Sequence, residues 1–160
     1  MSDPTPDPVE VLIKRHEGCV LRKYQDSLGF WTIGIGHCID PRKGCKDLDP
    51  ELYEPDGSIS QATADEVFEE DLLAVRVQLA NLLPWTSQLD AVRIAVFCDM
   101  GFEMGVSGLA AFTTFLRLVE IGEYEAAAAD VLANTKWAKQ VPERAAEDAG
   151  MIASGEWSTS

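Results

Sequence analysis

The stretch that decides the fold reads His16-Glu17-Gly18, then Tyr24-Gln25-Asp26-Ser27-Leu28-Gly29-Phe30-Trp31-Thr32-Ile33-Gly34-Ile35-Gly36-His37. Just upstream, Asp7-Pro8-Val9-Glu10 reads as a helix start, with Asp7 as N-cap, Pro8 at the first helical position and Glu10 closing a box on the cap. Val9, Leu12, Ile13 and His16 fall on one face at helical spacing, and Gly18 is a stop signal. Glu17 therefore occupies the last turn, against exposed carbonyls whose partial negative charge disfavours a carboxylate. Leu21 to Gln25 and Phe30 to Ile35 read as two hairpin strands joined by the turn Asp26-Ser27-Leu28-Gly29. Alternation puts Trp31, Ile33 and Ile35 on one face and Phe30, Thr32 and Gly34 on the other. Gly34 and Gly36 let another group approach the backbone closely.

This pattern places one carboxylate at a helix end, a second in a tight turn and a hydroxyl on the next strand. Glycoside hydrolysis needs two carboxyl groups in different surroundings, one giving a proton and one staying ionised. A turn aspartate has water and backbone N–H groups around it, which suits the ionised role, and Thr32 is placed to hold a water near Asp26. A glutamate at a helix end is also commonly just solvated, and a turn aspartate commonly only shapes its turn. Spacing by itself leaves both readings open.

A chain of 160 residues, 46% hydrophobic and 25% charged, has the makings of one soluble domain with a substantial core. The start, Met1-Ser2-Asp3-Pro4-Thr5-Pro6, is polar and acidic, so no secretory signal is expected. No apolar run is long enough for stable membrane insertion. Thirteen basic against 27 acidic residues give a net charge of −14. That balance lacks the basic stripe of a nucleic-acid binder. It also opposes encounter with anionic envelopes unless the site is locally less acidic or salt screens the repulsion.

The four cysteines, at 19, 38, 45 and 98, are expected as free thiols, with Cys98 buried in an apolar helix and a Cys38–Cys45 pair the minority alternative. His37 with Cys38 and Cys45 lacks a fourth zinc ligand at sensible spacing. Asp47, Asp49 and Glu51 hint at calcium, but Leu52 and Ser58 stand where such a loop needs Gly and Glu. No metal and no cofactor is expected.

Residues 1–59 read as a helix, a hairpin region and a loop. Residues 60–80 read as one long helix, capped by Ser60, striped by Ala64, Val67, Phe68, Leu72, Val75 and Leu79, and stopped by Pro84. Residues 81–160 are helical: an apolar helix from Leu89 to Met100, short pieces broken by Gly101, Gly105 and Gly108, then helices over Thr113–Val119, Glu123–Asn134 and from Pro142. The fold class is α+β, dominated by helix, in a single domain over 1–160.

The opening segment closely resembles the catalytic segment of T-even bacteriophage-type lysozymes and related phage endolysins, glycoside hydrolase family 24. That family's pattern is EGxxLxxYxDxxGxxTIGIGH, and Glu17, Asp26 and Thr32 fill its three catalytic positions at the right separations. Asp56-Gly57-Ser58-Ile59-Ser60, Ser87 to Arg93, Phe102 to Gly105, Phe112 to Arg117, Trp137 and Pro142 to Ala145 extend the likeness over most of the chain. The resemblance implies a two-lobed fold, a small hairpin lobe and a helical lobe joined by the long helix, with the cleft between. It implies a muramidase that cuts the β-1,4 bond between N-acetylmuramic acid and N-acetylglucosamine with inversion. Glu17 would be the general acid, and Asp26 with Thr32 would place the water. Carboxyl groups roughly 6.5–9.5 Å apart would leave room for it.

By the same likeness His37 and Asp71 form a structural ion pair. Arg144 matches the arginine that reaches toward the catalytic glutamate. Phe102, Glu103 and Met104 match a cleft-lining turn, with Glu103 where the family commonly has Gln. Cys38 falls at a substrate contact, and Phe115 and Val131 stand where relatives contact sugar. Peptidoglycan strands would be the partner, of a monomer made in the host bacterial cytoplasm and reaching the periplasm through a separate holin. The rival readings are a lysozyme fold that grips glycan without cutting it, a phage-tail component, and a bacterial muramidase effector.

Overall fold

The computed structural model describes residues 5–158; of the polar N-terminal stretch read as lacking a signal, Met1 to Pro4 lie outside the described residues. The chain divides into two units, one of residues 13–74 and one of residues 5–12 with 75–158. Its elements, in order, are α1 (Pro8–Glu17), β1 (Val20–Gln25), β2 (Trp31–Gly34), β3 (His37–Cys38), α2 (Gln61–Leu82), α3 (Ala91–Met104), α4 (Val106–Ala110), α5 (Thr113–Glu120), α6 (Tyr124–Asn134), α7 (Lys136–Gln140) and α8 (Pro142–Ser154). The fold is the expected helix-dominated α+β class. No described helix is long and apolar enough to cross a membrane.

The caps behave as the sequence predicts. Asp7 Oδ1 accepts from the Val9 N–H at 2.9 Å, and Gly18, at φ 68°, ends α1 with its N–H on Lys14 O at 2.9 Å. Ser60 Oγ accepts from Thr63 N–H at 3.0 Å, and α2 runs two residues beyond Ala80.

In the unit of residues 13–74, β1, β2 and β3 form an antiparallel sheet in that order. The expected two-strand hairpin gains a third strand because Gly34 and Gly36, at φ 68° and 63°, turn the chain back after β2. That turn also corrects the facial pattern: Ile33 and Ile35 are buried, but Trp31 is 42% exposed, while Thr32 is buried beside Ile33. Ile33, Ile39, Ile59 and Ala64 form the core, covered by Leu21, Leu48 and Tyr53. A buried carboxylate pins the edge: Asp40 Oδ2 accepts from the Trp31 N–H at 3.0 Å and Oδ1 from the Arg42 N–H at 2.8 Å. The Arg42 guanidinium closes on the same carboxylate at 2.6 Å and donates to Gly29 O at 2.6 Å.

The expectation of free thiols at 38 and 45 is overturned. Cys38 and Cys45 are disulfide-bonded, their Cα atoms 5.9 Å apart, because the turn anchored by Asp40 folds the loop back on β3. Cys19 is free and exposed, and Cys98 is free and buried. The acidic loop is likewise engaged: Asp47 pairs with Lys23 at 2.7 Å and accepts from Tyr53 Oη.

In the other unit α3 is the central helix. Ala95, Val96 and Phe97 are fully buried, with Phe97 stacked on Phe115 at 5.8 Å and edge-on to Trp85 at 5.7 Å. Gly101 does not break α3 as its sequence suggested. It lies inside the helix, where an added Cβ would stand 3.1 Å from both Val75 and Val106 side chains, so small size outweighs its poor helix propensity. Asp90 caps α3 through the Arg93 N–H at 3.1 Å, and Arg93 Nε donates to Ile152 O at 2.7 Å.

Two measurements test this framework. Reducing the Cys38–Cys45 bridge, or replacing Cys45→Ser, should cost about 2–3 kcal/mol in urea unfolding from the restored freedom of the loop; an unchanged midpoint would show that the bridge constrains nothing. The Arg42 side chain, ahead of the Trp31 N–H, holds the Asp40 carboxyl well below the usual carboxylate range. The folded state therefore binds its proton less tightly than the unfolded chain, so its stabilisation is present above about pH 4 and fades as pH falls toward the folded value. Thermal melts from pH 5 to 2 should show a shallower acid dependence in Asp40→Asn than in wild type.

Candidate active site

Glu17, the last residue of α1, owes its position to Gly36. A Cβ built on Gly36 would meet the Glu17 carboxyl, 2.6 Å from its Cδ, at a backbone φ of 63°. The group expected to approach the glycine backbone is thus the glutamate itself. Asp26 sits where β1 ends. Its backbone N–H donates to Phe30 O and its O accepts from Gly29, both at 2.9 Å, with Gly29 at φ 85°. Its Oδ1 accepts from the N–H groups of Leu28 and Phe30, each at 2.9 Å, as the turn reading requires. Thr32 lies on β2 opposite Tyr24 of β1 and Cys38 of β3; it is 6% exposed, and its Oγ1 donates to Phe30 O at 3.1 Å.

Tyr24 is the site residue that sequence reasoning passed over. Burial raises the pKa of its phenol first, and the Glu17 and Asp26 charges raise it further. It therefore remains a neutral O–H, and both carboxyl groups act on it. Its position two residues before Asp26, in register with Thr32, was the available signal. His37 Nδ1 lies 2.7 Å from Asp71 Oδ2, tying β3 to α2, so the expected pair is present.

The remaining candidates belong to the helical unit. Phe102, Glu103 and Met104 form the half-buried last turn of α3 rather than a separate turn, and Gly105 at φ 83° ends the helix after them. Arg144 on α8 grips Asp99 on α3: Nε to Oδ2 at 3.0 Å, Nη2 to Oδ1 at 2.8 Å, and Nη2 to the Asp99 carbonyl O at 3.4 Å. Their side chains are 10% and 0% exposed. One helical turn beyond Arg144, Asp148 is 1% exposed, and its carboxyl is pushed well up by burial and then by the Asp99 charge, against the pull of Arg144. The signals for this group were a lone acid in the apolar run of α3 and an Arg–Asp pair four apart on α8.

Two positions where relatives contact sugar are core here, and the third carries a bridged sulfur. Phe115 and Val131 are each 1% exposed core side chains, and the Cys38 sulfur is bonded to Cys45. A separate apolar cavity of about 680 Å³ in the helical unit is lined by Arg76, Leu79, Ile94, Cys98 and Trp157 among others, and by none of Glu17, Asp26 and Thr32. Burial pushes the Cys98 thiol beside it up to about 11.

One carboxyl at a helix end and a second in the turn of the small sheet that follows it is a lysozyme arrangement. The phage lysozyme family model matches residues 14–151, and the chain belongs to that family. It is similar to probable T4-type lysozyme 2 of Dictyostelium discoideum, 31% identical over 83% of this chain and 86% of that protein. It is 34% identical to an endolysin of Acyrthosiphon pisum secondary endosymbiont phage 1, over 81% of this chain and 76% of that one. The pre-baseplate central spike protein Gp5 of Enterobacteria phage T4 is 31% identical over 72% of this chain, which corresponds to 22% of the spike protein. The enzyme class is lysozyme, and peptidoglycan is its substrate.

The contact between Glu17 and Gly36 makes Gly36→Ala the sharpest test of the geometry. The added methyl must displace the carboxyl, so activity should fall about 100-fold, with an added backbone strain of about 1–2 kcal/mol. Gly44→Ala meets nothing within 4 Å at a similar φ of 77° and should show the strain without the activity loss. Equal activity in the two variants would remove Gly36 from the site.

Proposed function

We propose that this lysozyme hydrolyses the β-1,4 bond between N-acetylmuramic acid and N-acetylglucosamine with inversion. Glu17 protonates the leaving oxygen, and Asp26 with Thr32 orients a water on the opposite face of the sugar. The observation that carries this reading is that the Glu17 carboxyl lies against Gly36, in the turn that follows β2, on the same small sheet whose β1 ends at Asp26 and whose β2 carries Thr32. Asp26 gives only Oδ1 to its turn, so Oδ2 is the atom that accepts a proton from water. The Thr32 hydroxyl, having given its proton to Phe30 O, offers the water a lone pair.

Phe102, Glu103, Met104 and Arg144 serve as substrate contacts, and Cys38 contributes through the bridged loop. The biological role is host-cell lysis as a monomeric endolysin, made in the host cytoplasm and admitted to the cell wall by a separate holin. The likeness to the T4 pre-baseplate central spike protein supports a second reading, a lysozyme-fold module of a phage-tail component. Both readings share the chemistry.

Release of reducing ends from purified peptidoglycan, with product anomers read by proton NMR at early times, tests the proposal. Wild type should give the α-anomer first. Glu17→Gln, which keeps the shape and removes the donor proton, should lose about 10³-fold while melting normally. A β-anomer would replace inversion by a retaining route. Undiminished activity in Glu17→Gln would remove Glu17 as the acid.

A further inference from the structure

Asp148 is the buried ionisable group that the reaction scheme leaves unused. Both of its carboxylate oxygens are buried without a hydrogen-bond partner, and the residue is 1% exposed. A bare carboxylate in that position would be strongly unfavourable, whereas a carboxylic acid needs only one acceptor. The acceptor is at hand. An oxygen of Asp148 and one of Asp99 lie within 4.8 Å of each other. Asp99 in turn accepts the forked guanidinium of Arg144 on both of its oxygens.

We propose that Asp148 and Asp99 share a single proton and act as one monoanion that fixes the orientation of Arg144, making both aspartates positioning residues for a substrate-binding cation. The arrangement has a clear division. Asp99 supplies the charge and two acceptor atoms that match the arginine fork. Asp148 supplies a neutral donor that holds Asp99 in place, one helical turn from Arg144 on α8. A neutral donor of the same shape should replace Asp148 without loss, whereas Asp99 must remain an anion. The link to substrate rests on the role proposed above for Arg144; the shared proton does not.

The test has two arms on the full-length protein. In the first, infrared spectra of protein carrying ¹³C-labelled aspartate carboxyls are taken at pH 7. Wild type should show a protonated carboxyl band that Asp148→Asn abolishes; a wild type without that band overturns the shared proton. In the second, KM and kcat are measured on soluble uncrosslinked glycan chains. Asp148→Asn should keep both within twofold of wild type. Asp148→Ala, which removes the donor, should raise KM at least fivefold with kcat within twofold, a split that partial unfolding does not produce. Asp99→Asn, read on the fraction that circular dichroism shows to be folded, should raise KM further. Equal KM values for wild type, Asp148→Ala and Asp99→Asn overturn the positioning role, as does an Asp148→Asn variant as impaired as Asp148→Ala. A wild type inactive on these chains would overturn the muramidase reading, and the positioning role with it, while the infrared arm still decides the proton.

Discussion

The absence of a side chain at Gly36 is the constraint on which the hairpin unit depends. Its backbone turns at a positive φ, and the Glu17 carboxyl occupies the space where a Cβ would be. One residue thus does two things. It reverses the chain so that β3 can pair with β2, and it lets a helix end and a sheet come within van der Waals contact. Everything that borders the carboxyl follows from that approach: Tyr24 across from Thr32, and Asp26 where β1 ends. Packing of the carboxyl against the Gly36 backbone limits where it can sit.

The parts of this architecture that were legible in the sequence are those made by neighbours along the chain. The Asp7 cap, the Gly18 stop, the Asp26 turn and the Ser60 cap are all settled within four residues, by hydrogen bonds whose donors and acceptors the sequence names. Glu17, Asp26 and Thr32 inherit their order from those local pieces. What escaped is made at a distance. The third strand needs two glycine turns in succession, and it buries Thr32 beside Ile33 against simple alternation. The Cys38–Cys45 bridge depends on Asp40 folding the loop back, and a count of cysteines weighed against compartment misjudged it. Gly101 reads as a helix breaker until Val75 and Val106 are seen on either side of it.

The two units also differ in how they handle charge. Around the hairpin, carboxylates are met mainly by backbone N–H groups and by arginine at the edge, as at Asp26 and Asp40. In the helical unit Asp99 and Asp148 are buried among helices, and Asp99 is met by a side chain from another helix. Backbone donors are fixed by the strand and turn that carry them, so the hairpin carboxylates keep their surroundings if a neighbouring side chain moves. Side-chain donors depend on helix packing, so the surroundings of Arg144 depend on how closely α3 and α8 sit.

The redox state of the four sulfurs has a practical side. Two are joined in the bridge and one is enclosed in the helical core, which leaves Cys19 as the single exposed thiol, beside Gln61 and two residues past Glu17. A thiol-directed fluorophore or spin label would therefore attach at one place, at the edge of the hairpin. The native chain carries its own attachment point for watching glycan arrive, with no cysteine to introduce and none to remove.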